Sequence, residues 1–270
     1  MLFPSAPGEA VKQSKGNCAV DFSNAAQGYI VVSYLSQFEK KCRVNVKGPG
    51  GSQNFMVSDP EMNADLLRYD NMQKTYGIQK VIPLCYGDGA YEVKVYRQAG
   101  GSRYSTLMTW RHEVKLDSPN LPWLYPNTYC FYNETSECVK LAESIRDGAR
   151  DDAEKVRRAV DWVTENIVYD YPLANAVEHW WLPCPDEVLR AKSSICFGYA
   201  SLFAALNRIS GVPCKIMVGW VKGSAYHAWN DVFINGEWVR YDVTFEASAR
   251  QNPQVHRLYE SDDYTVSHCG

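Results

Sequence analysis

The chain has 270 residues, a formal net charge of -3 and a pI near 6.0, with 46% hydrophobic and 22% charged residues. Such proportions are ordinary for a soluble globular protein of one or two domains, and they leave no basic footprint for nucleic acid. No apolar run approaches the roughly 18 residues that a membrane span needs, and the opening MLFPSAPGEA lacks the charged and apolar regions of a secretory signal.

Taken in chain order, the first 16 or so residues are expected to be irregular. From there to residue 116, YIVVSYL, CRVNVKG, NFMVSD, KVIPLCY, AYEVKVYRQ and TLMTWRHEVKL are short, rich in β-branched and aromatic residues and partly alternating. Turn signals separate them: GPGG at 48–51, GDG at 87–89 and AGG at 99–101. GPGGS is not followed by Gly-Lys-Ser/Thr, so it reads as a turn and not a phosphate loop. The pattern predicts a small, all-β, immunoglobulin-like sandwich over residues 1–116. DSPNLPWLYPN, 117–127, holds three prolines and is expected to be a stiff linker. A second domain is expected over residues 128–270.

In that second half the period changes. Residues 137–148 and 152–167 are predicted helices, the second with Val156, Val160, Val163 and Ile167 on one face and Asp151 or Asp152 as cap. A third helix is expected to start near Pro185, and a fourth, apolar on most sides, to run from Cys196 to Ser210. Three strands, KIMVGWV, YHAWNDVFI and EWVRYDVTF, complete an α+β pattern with helices first and sheet second.

Three residues in this half point to thiol chemistry. A cysteine at a helix start meets free N–H groups and partial positive charge, which favour the thiolate and could stabilise an oxyanion. Asn235-Gly236 predicts a two-residue hairpin, which pairs Ile234 with Glu237, Trp229 with Asp242 and His227 with Thr244. His227 and Asp242 then become same-face diagonal neighbours, about 7–8 Å apart at Cα. Asp231, four residues along from His227, would be about 13 Å away and opposite Arg240 instead. Cys196 as nucleophile, His227 as base and Asp242 as orienting acid form an acyl-transfer arrangement. Each alone could be structural; their convergence carries the reading.

Other residues carry less. Nine cysteines without a Cys-x-x-Cys pair fit either buried thiols or an oxidising compartment with disulfides, in which case Cys130–Cys138 is the first pair to bridge. Cys184 also stands at a helix start, without a histidine placed near it. His112, His179, His256 and His268 fit no metal spacing, and zinc on Cys196, His227 and Asp242 lacks local paired ligands. Asn133-Glu134-Thr135 matches a glycosylation acceptor.

SSICFGYASLFAALNRISGVPCKIMVGW and AYHAWNDVFINGEWVRYDVTF resemble the transglutaminase-like core of the papain-like cysteine enzymes, at Cys196, Gly211, Pro213, His227, Ala228, Trp229, Trp238 and Asp242. AVDWVTENIVYD upstream is similar to the helix preceding that core in bacterial members. The resemblance covers roughly residues 137–270. It implies helices packed on an antiparallel sheet, a Cys-His-Asp triad with no cofactor or metal, and acyl transfer on peptide or protein amides. Hydrolysis as a peptidase or amidase is slightly preferred over glutamine transamidation. It also implies an exported, bacterial, extracellular or cell-surface type, with a cell-wall or surface protein among possible substrates. Ser194 stands where family members usually have glycine, and a positive φ there would strain serine. Trp180, Trp181 and Tyr169 are candidates for the second oxyanion donor. The competing expectation is an inactive scaffold that binds a partner.

Overall fold

The computed structural model describes residues 12–15, 18–34, 42–58, 78–177, 181–223, 226–251 and 261–270. The chain divides into two compact units that meet in sequence between Pro122 and Trp123.

Among the described residues the first unit holds eight strands: β1 (Lys12–Lys15), β2 (Cys18–Asp21), β3 (Tyr29–Tyr34), β4 (Cys42–Gly48), β5 (Gly51–Ser58), β6 (Ile78–Pro83), β7 (Gly89–Gly100) and β8 (Arg103–Val114). They form two four-stranded antiparallel sheets, ordered β1-β2-β3-β6 and β5-β4-β7-β8. Alternation explains the arrangement. In β4, Cys42, Val44 and Val46 are buried while Arg43 and Lys47 are exposed, and in β7 Tyr91, Val93 and Val95 are buried. Tyr91 locks the corner before β7, its hydroxyl accepting from the Tyr86 N–H and donating to the Gly87 carbonyl, both at 2.9 Å. Burial pushes the Tyr91 phenol well above its ordinary value.

The proline-rich stretch is divided between the two units, with contacts inside each. The Asp117 N–H donates to the Ala26 carbonyl at 2.8 Å, and Pro122 lies so close to Gly28 (φ +91°) that a Cβ there would stand 2.4 Å from its ring. On the other side, Trp123 meets the Trp238 ring edge-on at 6.4 Å.

The second unit begins with helices α1 (Glu137–Arg146) and α2 (Asp152–Asn166), the latter capped by Asp151, whose Oδ1 accepts the Glu154 N–H at 2.8 Å. Next come β9 (Val168–Tyr169), the short α3 (Tyr171–Ala176), α4 (Pro185–Ala191) and β10 (Ser193–Ser194), which pairs in parallel with β9. Helix α5 (Cys196–Ile209) is buried from Gly198 onward and is the centre of the unit. It packs on an antiparallel sheet ordered β13-β12-β11-β14, built from β11 (Cys214–Val221), β12 (Tyr226–Ile234), β13 (Glu237–Tyr241) and β14 (Tyr264–Cys269). This is the mixed helix-and-sheet architecture expected of residues 128–270.

Three expectations need correction. The third strand stops at Tyr241, because Asp242 caps a helix, α6 (Val243–Gln251), in place of continuing the sheet. The sheet has a fourth strand, β14, that was not expected. And Cys130 and Cys138 are free thiols, as are Cys184, Cys196 and Cys214. The Cys130 thiol donates to the Ser201 carbonyl at 3.4 Å, and burial pushes it up to about 11. Cys138 is buried on α1 and its thiol is likewise pushed up by burial. These two behave as small apolar side chains. Among the described residues no helix is long and apolar enough to cross a membrane.

Candidate active site

Cys196 is the first residue of α5 and half-buried. The residue before it, Ile195, is extended and supplies no side-chain cap, at a position where Ser, Thr, Asp or Asn would ordinarily satisfy the first N–H groups. Serine at 194 is compatible with the turn. Among the described residues only Lys192 and Asn235 are non-glycine residues with positive φ, and Ser194 lies in a short strand. Its hydroxyl occupies the space left by Gly198, where a Cβ would stand 1.9 Å from Ser194 Oγ. The glycine requirement falls one helical turn further on.

His227 is the second residue of β12 and is buried. The register read from Asn235-Gly236 holds along the whole hairpin: Ile234 with Glu237, Asp231 with Arg240, Asn230 with Tyr241. Asn235 (φ 53°) and Gly236 (φ 86°) both take the left-handed conformation of a tight hairpin turn. The register ends one residue short of Asp242, so Trp229–Asp242 and His227–Thr244 are not pairs. Asp242 instead reaches His227 from the start of α6.

The contacts converge on that carboxylate. His227 Nε2 lies 2.8 Å from Asp242 Oδ2, the Tyr264 hydroxyl donates to the same oxygen at 3.0 Å, and the Phe245 N–H donates to Oδ1 at 3.1 Å. A carboxylate only accepts, so Nε2 carries the proton and Nδ1 is left for a second partner. The Cys196 thiol lies close enough to raise the imidazole's pKa. Burial alone would lower the imidazole's pKa. The hydrogen bond to Asp242, helped by the neighbouring Cys196, outweighs it and holds His227 at about 9. The Phe245 ring lies parallel to the imidazole, with centroids 4.4 Å apart.

Aromatic side chains pack around Phe197, the residue that follows Cys196. Phe197 packs against Tyr129 at 5.6 Å and Trp181 at 6.3 Å. Burial, helped by the neighbouring Cys196, pushes the Tyr169 phenol up to about 12. Beyond Tyr129, His268 and Tyr226 lead to Trp220, which is 57% exposed.

Remaining candidates lie elsewhere. Asp231 is 3.8 Å from Arg240 and takes no part in the His227 contacts. Cys184 caps the start of α4, and burial raises its thiol. His112 stacks on Phe22 in the first unit, and His268 faces the Tyr226 hydroxyl at 3.3 Å. Trp180, His179 and His256 lie outside the described residues. Asn133 sits in an exposed turn that Thr135 closes by bonding to its Oδ1. Among the described residues no group of three or more His, Cys, Asp or Glu side chains is placed to hold a metal ion. Sequence reasoning missed Tyr264 and Phe245: the first lies on the unexpected strand, the second on the helix read as strand.

Comparison with known proteins locates the similarity. Residues 139–243 match the family described as the Transglutaminase-like superfamily. The kyphoscoliosis peptidases of Mus musculus and Homo sapiens are each 32% identical over 117 residues, covering 39% of this chain and 18% of each relative. The match thus spans under a fifth of those relatives' length, and both come from animals, so the expected bacterial type receives no support from them. Among solved structures, a proposed cysteine protease from Cytophaga hutchinsonii gives a TM-score of 0.44 at 22% identity, over 57% of this chain and 48% of that one. The periplasmic domain of TgpA from Pseudomonas aeruginosa gives 0.40 at 12%, over 90% and 98%. The stretch similar to the transglutaminase-like superfamily, residues 139–243, contains Cys196, His227 and Asp242.

Proposed function

We propose that Cys196, His227 and Asp242 form a thiol triad that transfers acyl groups from peptide or protein amides, with water as the usual acceptor. The observation that carries this reading is the buried His227 imidazole hydrogen-bonded to Asp242, with Cys196 beside it at the start of α5. The thiol gives up its proton to form a thiolate that pairs with the protonated imidazole of His227, whose charge Asp242 stabilises. The sulfur then attacks the amide carbon, forming the C–S bond as the carbonyl π electrons move to oxygen. The uncapped N–H groups at the start of α5 can stabilise that oxyanion. Collapse of the intermediate breaks the C–N bond, with the imidazolium protonating the departing amine. Water, deprotonated by His227, resolves the thioester and returns the thiol. The rings of Phe197, Tyr129 and Trp181 offer apolar contact for side chains flanking the amide.

The test is the rate of Cys196 alkylation against pH, mapped by peptide mass, in wild type, His227→Ala and Asp242→Ala. Reaction well below the unperturbed thiol pKa of about 8.5, abolished by both substitutions, supports the triad. An inert Cys196, or one that reacts identically in all three proteins, sinks it and favours a partner-binding scaffold. A peptide library offered with and without an amine donor then separates hydrolysis from transamidation. Product carrying the amine would overturn the preference for water.

A further inference from the structure

Tyr264 lies on β14, outside the matched residues 139–243, and its hydroxyl donates at 3.0 Å to Asp242 Oδ2, the same oxygen that His227 Nε2 approaches at 2.8 Å. The ring is held from two sides. Trp229 meets it edge-on at 4.8 Å, and the Arg240 guanidinium lies over its face at 4.3 Å. Trp229 and Arg240 come from β12 and β13, so three strands fix where that hydroxyl points.

We propose that Tyr264 is a positioning residue of this site: its hydroxyl pins the Asp242 oxygen that His227 uses and takes up part of its charge, tempering the basicity of the imidazole. A carboxylate oxygen that accepts two hydrogen bonds shares its charge between them. Each bond is therefore weaker than it would be alone. Without the second donor, the full charge of Oδ2 falls on the imidazole and favours its protonated form. The other titratable or charged groups facing this corner are Cys196 from α5, Tyr169 from β9 beside that thiol, and Arg240 from β13, itself opposed by Asp231 from β12. None of them donates to Asp242 in the way Tyr264 does. Phe245 offers only its backbone N–H, to the other oxygen.

The inference rests on the triad reading above, but it is tested on the resting protein without substrate. Isotope-edited NMR of the histidine rings follows the titration of His227 in wild type and in Tyr264→Phe, which keeps the ring on Trp229 and Arg240 and removes only the hydroxyl. The expected result is an upward movement of the His227 titration by about half a pH unit or more. A ring-fluorinated tyrosine at position 264 is a stronger donor and should move the titration down, providing a second measurement if the phenylalanine variant folds poorly. Tyr264→Leu controls for packing, since it should lower the melting temperature where Tyr264→Phe does not. A His227 titration that is unmoved, or that moves the opposite way in either hydroxyl variant, overturns the proposal. An inert Cys196 together with the expected shifts would sink the triad reading alone.

Discussion

At the scale of single residues, Asp242 has two functions that substitution can separate. Its Oδ1 caps α6 through the Phe245 N–H, and its Oδ2 carries the charge that His227 uses. Asparagine is as good a helix cap as aspartate. Asp242→Asn should therefore keep the α6 cap but lose the charge that holds His227 protonated, so at neutral pH it should be less stable than wild type and the alkylation rate of Cys196 should fall by about tenfold or more. Asp242→Ala should add a stability loss of about 1 kcal/mol. Thermal melts set beside alkylation rates check both. His227 also couples folding to pH. In the folded chain its pKa is raised from 6.5 to about 9. The stability it contributes is fully present below pH 6.5 and is lost as the pH rises through about 9. Its size is on the order of 3 kcal/mol. Urea unfolding of wild type and His227→Gln at about pH 6 and about pH 10 should show a stability gap that shrinks at the higher pH. A gap that stays constant would contradict the coupling.

At the scale of elements, the start of α1 is satisfied by a neighbouring helix. The carboxylate of Asp186, in the first turn of α4, accepts the N–H groups of Glu137 and Cys138 at the start of α1, at 3.0 and 2.9 Å, whereas Ser136, the residue preceding α1, provides no side-chain cap. Asp186→Ala should cost about 1–2 kcal/mol by loosening a helix it does not belong to. The measurement is hydrogen exchange, in which protection should fall at the start of α1 as well as in α4. Asn235-Gly236 made the β12–β13 register legible because a two-residue turn leaves one pairing possible. The same sequence hid α6. Val243, Thr244 and Phe245 all favour strands, and only the aspartate before them and the Glu-Ala-Ser-Ala-Arg run after them indicate a helix. Strand β14 was illegible for another reason. Its alternation is strand-like, but its partner β11 lies far back in the chain, and no turn signal joins the two.

At the scale of the whole molecule, the change of period near residue 117 was legible because it separates strand grammar from helix grammar. The cysteine count was misleading, since the residues that suggested bridges are buried thiols. What holds the second unit together could not be read at all. Arg208, fully buried on α5, donates to the carbonyls of Cys214, Tyr125 and Gly270 at 2.9, 2.9 and 3.0 Å. One guanidinium therefore joins the start of the unit, the start of β11 and the residue following β14. Arg208→Lys keeps the charge but lacks the rigid fork that reaches three acceptors. Its unfolding free energy should fall by about 3 kcal/mol or more, as buried carbonyls lose their donors. Chemical denaturation followed by tryptophan fluorescence checks it.

The position of β14 in the chain has a consequence for synthesis. Cys196, His227 and Asp242 all leave the ribosome before Tyr264 does, and the sheet that holds them is still missing one edge at that point. A nascent chain arrested before β14 would contain every residue of the proposed chemistry, but Asp242 would lack the Tyr264 donor and Arg208 one of its three acceptors. The proposed triad would acquire its final setting only when β14 has docked.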